Sequence, residues 1–100
     1  MRDDLLNREQ AEALRDDIVA LDGVAGLYGG QFGEIAMLFA GARVRGLHIT
    51  DDDQDNPRLA VYVIADSKHL QPVQQLGETV RTVAGKHCDL PIDVTISDVV

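Results

Sequence analysis

Residues 59–99 decide the fold: LAVYVIA (59–65), SKHLQPVQQLGETVRTVAG (67–85), KHCDLP (86–91) and IDVTISDV (92–99). The first segment is apolar on both alternating faces, with Leu59, Val61 and Val63 on one and Ala60, Tyr62 and Ile64 on the other. A strand covered on both faces is usually central in its sheet. In the second segment Val73, Leu76, Val80 and Val83 recur at helical spacing. Pro72 suits a first turn, Gly85 a stop, and Lys86 and His87 bring positive charge to the negative end of the helix. Gly77 costs the helix about 1 kcal/mol against Ala, which points to a helix pressed close to the sheet. In the last segment Ile92, Val94 and Ile96 alternate with Asp93, Thr95 and Ser97, a half-buried strand. A strand–helix–strand unit of this size closes by a right-handed crossover with its strands parallel.

Working outward, Asn7 and Gln10 have the spacing of a capping box. Ala11, Leu14, Ile18 and Leu21 then share one helical face, and Gly23 is a stop, so a helix is expected over 8–21, with residues 1–7 disordered. Residues 24–28 form a short strand and Gly29-Gly30 a turn. Residues 32–39 fit neither the helical nor the strand period. Residues 44–50 read as a strand with Arg45, Leu47 and Ile49 on one face, and DDDQDNP joins it to the central strand as an acidic hairpin tip. The expected architecture is one α+β domain in the order α-β-β-β-α-β: a two-layer sandwich with a mixed four-stranded sheet and two helices on one face. Tyr62 and Ile64 would then form an apolar patch on the other face.

One hundred residues suit a single domain, which at this size buries about 65% of its unfolded surface. With 45% hydrophobic and 26% charged residues the composition is that of a folded chain. The net charge of −8 is uneven: residues 24–50 carry +1 and residues 67–88 carry +2, while residues 51–66 carry −4. An acidic chain repels nucleic-acid backbones and anionic lipid. A single cysteine, Cys88, excludes an internal disulfide and fits a reducing cytoplasm. The longest apolar run, 35–42, has eight residues, against the roughly 20 of a spanning helix, so direct membrane insertion is not expected.

Chemistry is hard to find. Asp51, Asp53 and Asp55 begin like a calcium loop, but Asn56 stands where the turn needs Gly and Tyr62 where a bidentate Glu is needed. His48, His69, His87 and Cys88 lack the paired spacing of metal ligands, and Cys88 has no evident base and orienting group. No catalytic residue, metal or cofactor is expected. The richest stretch is GLYGGQFG. Gly30-Gln31-Phe32-Gly33 has the GxxG form of KH domains, but lacks the basic residues that usually stand between the glycines. The candidate partner-binding residues are therefore Gly29, Gly30, Phe32, Gly33, Tyr62 and Ile64, with a KH-like nucleic-acid module as the alternative reading.

The segments LDGVAGLYGGQFGEIA, ARVRGLHI, LAVYVIA, LQPVQQLGETVRTVA and IDVTISDVV together resemble the alkaline shock protein family of Gram-positive bacteria, in its short actinobacterial form. The resemblance spans about residues 10–100, with departures at Asp66-Ser67 and Cys88-Asp89-Leu90. It implies a non-enzymatic cytoplasmic protein of cell-envelope stress. Such a protein would self-associate as a homo-oligomer, bind protein partners and be held at the inner face of the membrane by an anchored one.

Overall fold

The computed structural model describes residues 5–69 and 71–100. It is an α+β fold: helix α1 (Arg8–Val19), strands β1 (Val24–Leu27), β2 (Ala36–Phe39), β3 (Ala42–Arg45), β4 (Leu47–Asp51) and β5 (Pro57–Ala65), helix α2 (Val73–Ala84) and strand β6 (Ile92–Val99). Strands β1, β4, β5 and β6 make a mixed sheet, and β2 and β3 make a separate hairpin.

The nine-residue β5 is the axis. On one side it pairs in parallel with β6, Leu59 beside Ile92 and Val63 beside Ile96, the outcome of a crossover through α2. Its other side is shared. Antiparallel β4 covers the first half, from Asp51 beside Pro57 to Leu47 beside Val61, and antiparallel β1 covers the second, Leu27 beside Val63 and Val24 beside Ala65. The two meet at Tyr62, whose N–H donates to Gly46 O (2.9 Å) and whose carbonyl accepts from Tyr28 N–H (2.9 Å). Thus β1 and β4 are one edge strand interrupted by the excursion 29–45. Near Ile64 the pairing slips on both sides, between Val24 and Gly26 and between Val63 and Ile64. Slips of this kind bend a strand and sharpen its twist.

Leu59, Val61 and Val63 are fully buried with Leu47, and Ile49 is buried beside them, against Ala11, Leu14 and Ile18 of α1 and Leu76, Val80 and Ala84 of α2. Both helices lie on this face; α1 packs on α2, β1 and β3, and α2 on β6. The hairpin adds Met37 and Val44, paired across its strands, to the same core.

Several expectations change. The first helix stops at Val19 with Ala20 as its cap, and Gly23 is not left-handed; a side chain there would run into Gln71 and Leu76. The start expected to be disordered is ordered over its described part: Leu6 is fully buried and Asn7 completes the capping box with Gln10; residues 1–4 lie outside the described residues. Residues 36–39 are a strand, turned at Gly41 (φ 75°) into β3. The strand read over 44–50 is two strands, because Gly46 (φ 85°) breaks the alternation. Val44 faces the core while Arg45 does not share the buried face of Leu47 and Ile49. In α2 the buried stripe is Leu76, Val80 and Ala84, leaving Val73 exposed. Gly77 does not press on the sheet, since a Cβ there would meet open space.

Candidate protein-binding surface

The excursion begins where Gly29 turns away from the sheet. Its base is pinned twice: Ile35 N–H donates to Gly29 O and Gly46 N–H donates to Ile35 O, both at 2.9 Å. Within this closed loop Gly30 (φ 87°) and Gly33 (φ 76°) adopt conformations that side chains disfavour. The Glu34 carboxylate packs over Gly30 and accepts from Phe32 N–H (2.9 Å). Phe32 therefore stands out at the loop tip, the residue 89% exposed. Leu38, on the outward face of β2, is 63% exposed.

Two arginines of β3 buttress the loop. The Arg43 guanidinium donates to Gly33 O, and the stem of Arg45 fills the space beside Gly29. Arg43 and Arg45 then border an open groove of about 440 Å³ together with Arg15 of α1. Its apolar lining comes from Val19, Leu27 and Ile64. Arg15 pairs with Asp16 at 2.9 Å; among the described residues neither Arg43 nor Arg45 pairs with a carboxylate.

The residues singled out in the sequence separate accordingly. Gly29 and Gly33 lie against the two arginine side chains, and Ile64 lines the groove. Phe32 projects from the loop. Tyr62, half-buried at the junction of β1 and β4, does not line the groove. The patch expected from Tyr62 and Ile64 is reduced: both are half-buried, and the outer face around them carries the Arg58–Asp93 ion pair and Thr95. Sequence reasoning missed Arg15, Arg43 and Arg45. The signal was present in ARVRG, where arginines two apart on a strand share a face.

The phosphate-clamp reading of Gly30–Gly33 meets a physical obstacle. The amide of Phe32 that could face an anion is already bonded to the Glu34 carboxylate, and a second anion there would meet like charge.

Elsewhere the titratable groups are spread out. His87 Nε2 lies 2.6 Å from Asp17 Oδ2, and His69 Nδ1 lies 3.3 Å from Asp66 Oδ2. His48 is exposed on the far side of β4. Burial pushes the Cys88 thiol up, away from the thiolate that a nucleophile needs. At the acidic tip the Asp52 carboxylate accepts from Asn56 N–H (3.0 Å) and Gln54 N–H (2.8 Å). These bonds hold it below the ordinary aspartate range, the Asn56 bond contributing most. Asp52 thus acts as the fastener of its own turn. Among the described residues no three His, Cys, Asp or Glu side chains gather as a metal site, and no helix is long and apolar enough to cross a membrane.

Compared with models of known protein families, with curated proteins and with solved structures, the chain matches none.

Proposed function

We infer that this protein works by binding other proteins and copies of itself, without catalysis, as a cytoplasmic component of cell-envelope homeostasis that an anchored partner holds at the inner face of the membrane. The envelope role and the location rest on the resemblance of its segments to the alkaline shock protein family. The binding role rests on one observation: Phe32 is held in solvent at the tip of a pinned loop. Exposing an aromatic ring forgoes the stabilisation that burial would give. Aromatic residues and arginine are the side chains that anchor protein interfaces, and a loop already closed at its base loses little entropy on docking.

Sedimentation velocity over a concentration series, paired with affinity capture from native cells, tests this. The wild type should self-associate and retain a membrane-anchored protein, and Phe32→Asp should weaken both while leaving the circular dichroism spectrum unchanged. A wild type that stays monomeric at high concentration and retains no partner would refute the reading.

A further inference from the structure

We propose that the groove between α1, β1 and β3 is a binding site for an extended acidic peptide segment of a partner protein, a proposal that rests on the protein-binding reading above and specifies its ligand. Three of the nine cations of a chain with net charge −8 line this groove. Two of them, Arg43 and Arg45, have no carboxylate partner among the described residues. Like charges brought together this way repel, and an anionic ligand relieves that repulsion. The guanidinium fork matches a carboxylate in two-point geometry, which gives direction as well as charge.

The spacing selects an extended chain. Arg43 and Arg45 stand two apart on one strand, so their stems leave the backbone about 6.5–7 Å apart. Carboxylates on alternate residues of an extended peptide have the same repeat. Both strands that border the groove have main-chain groups to spare: among the described residues β1 pairs only with β5, and β3 only with β2. A Cβ at Gly26 of β1 would meet nothing within 4 Å, so a ligand backbone can come close there. The apolar lining of Val19, Leu27 and Ile64 offers a seat for an apolar residue beside the two acids. A groove of about 440 Å³ holds a few side chains. A long polyanion would have to lie along the acidic remainder of the surface, where its charge is repelled.

The test uses a fluorescein-labelled peptide, Leu-Glu-Val-Glu-Leu, blocked at its far end, read by polarisation at low salt. The full-length wild type should bind it saturably and more weakly as salt rises. The peptide with Lys for both Glu should bind about tenfold more weakly or worse. Arg43→Gln with Arg45→Gln, which keeps most of each stem, should weaken binding at least about tenfold, a loss of about 1.4 kcal/mol. Gly26→Val should also weaken it, by filling the approach to β1. Equal binding by wild type and the double arginine variant would overturn the proposal. So would a silent peptide alongside binding of phosphatidylglycerol vesicles or of an oligonucleotide. If the peptide fails while Phe32-dependent self-association persists, the acidic-ligand inference falls and the wider reading stands. If the peptide binds while self-association and partner capture are absent, the groove stands and the assembly reading falls.

Discussion

The guanidinium of Arg58 on β5 grips the carboxylate of Asp93 on β6 with two parallel bonds, Nε to Oδ2 at 2.7 Å and Nη2 to Oδ1 at 2.8 Å. It is a fork across the parallel pair that the crossover through α2 creates. Asp93 is held below the ordinary aspartate range first by this hydrogen bonding and further by the Arg58 charge. Asp52 and Asp66 are depressed as well, each chiefly by a backbone N–H.

A depressed carboxylate contributes stability that is fully present above its unfolded pKa, about 3.9, and is lost as pH falls through the lower folded value. The urea midpoint should therefore be flat for these groups from neutral pH down to about pH 5 and fall below about pH 4. In carboxyl-detected NMR, Arg58→Gln should move the Asp93 titration upward, move that of Asp52 upward by less, and leave that of Asp66 in place.

Two glycines should respond to alanine with opposite signs. Gly46 has φ 85°, and a Cβ there would collide with the Leu27 side chain and lie 3.2 Å from the Tyr62 carbonyl. Gly46→Ala should cost about 2 kcal/mol or more. Gly77 is helical with open space where its Cβ would be, so Gly77→Ala should stabilise by about 0.5–1 kcal/mol. Urea denaturation of both variants reads the difference directly.

The start of the described chain is part of the fold. Leu6 is fully buried in the core, and Leu6→Ala should cost about 2–4 kcal/mol. The Asn7 carboxamide accepts from Gln10 N–H at 2.8 Å, while the Gln10 side chain accepts from Asn7 N–H at 3.0 Å. Asn7→Ala should cost about 1 kcal/mol. Thermal unfolding of the two variants, compared with that of a surface control, checks both values.

Cys88 should react slowly. Its thiol is half-buried and pushed up by that burial, so iodoacetamide labelling of the folded protein at neutral pH should lag well behind that of the urea-unfolded chain. A folded rate equal to the unfolded one would contradict the buried setting.

The unit from β5 to β6 was legible because each local signal there has one meaning. A strand apolar on both faces must be covered on both, and a helix of this length between two strands crosses right-handed. The excursion 29–45 was not legible, for a reason of phase. Val44 and Leu47 are both buried, with Arg45 and Gly46 between them; a period of two cannot bring both inward unless the backbone turns at Gly46. Taking 44–50 as one strand put Arg45 with Leu47 and hid the arginine face. Val73 misled in the same way: it fits the helical spacing, but the stripe that packs is set by Leu76, Val80 and Ala84, and contact with β6 decides the rotation. Ile64 was read only as part of an apolar patch with Tyr62; that it also lines the groove was not legible, since the slips beside it turn up only in the pairing.

The hairpin carries Met37 and Val44 inward and Leu38, Arg43 and Arg45 outward by simple alternation. Core-facing and outward side chains thus alternate along one backbone, and the groove proposed for a partner draws on the outward set. The outward positions can be rewritten by mutation while the inward ones stay fixed, so a lineage of such chains could change its partners without renegotiating its core. The place to look for divergence between sister proteins is every second residue of this hairpin.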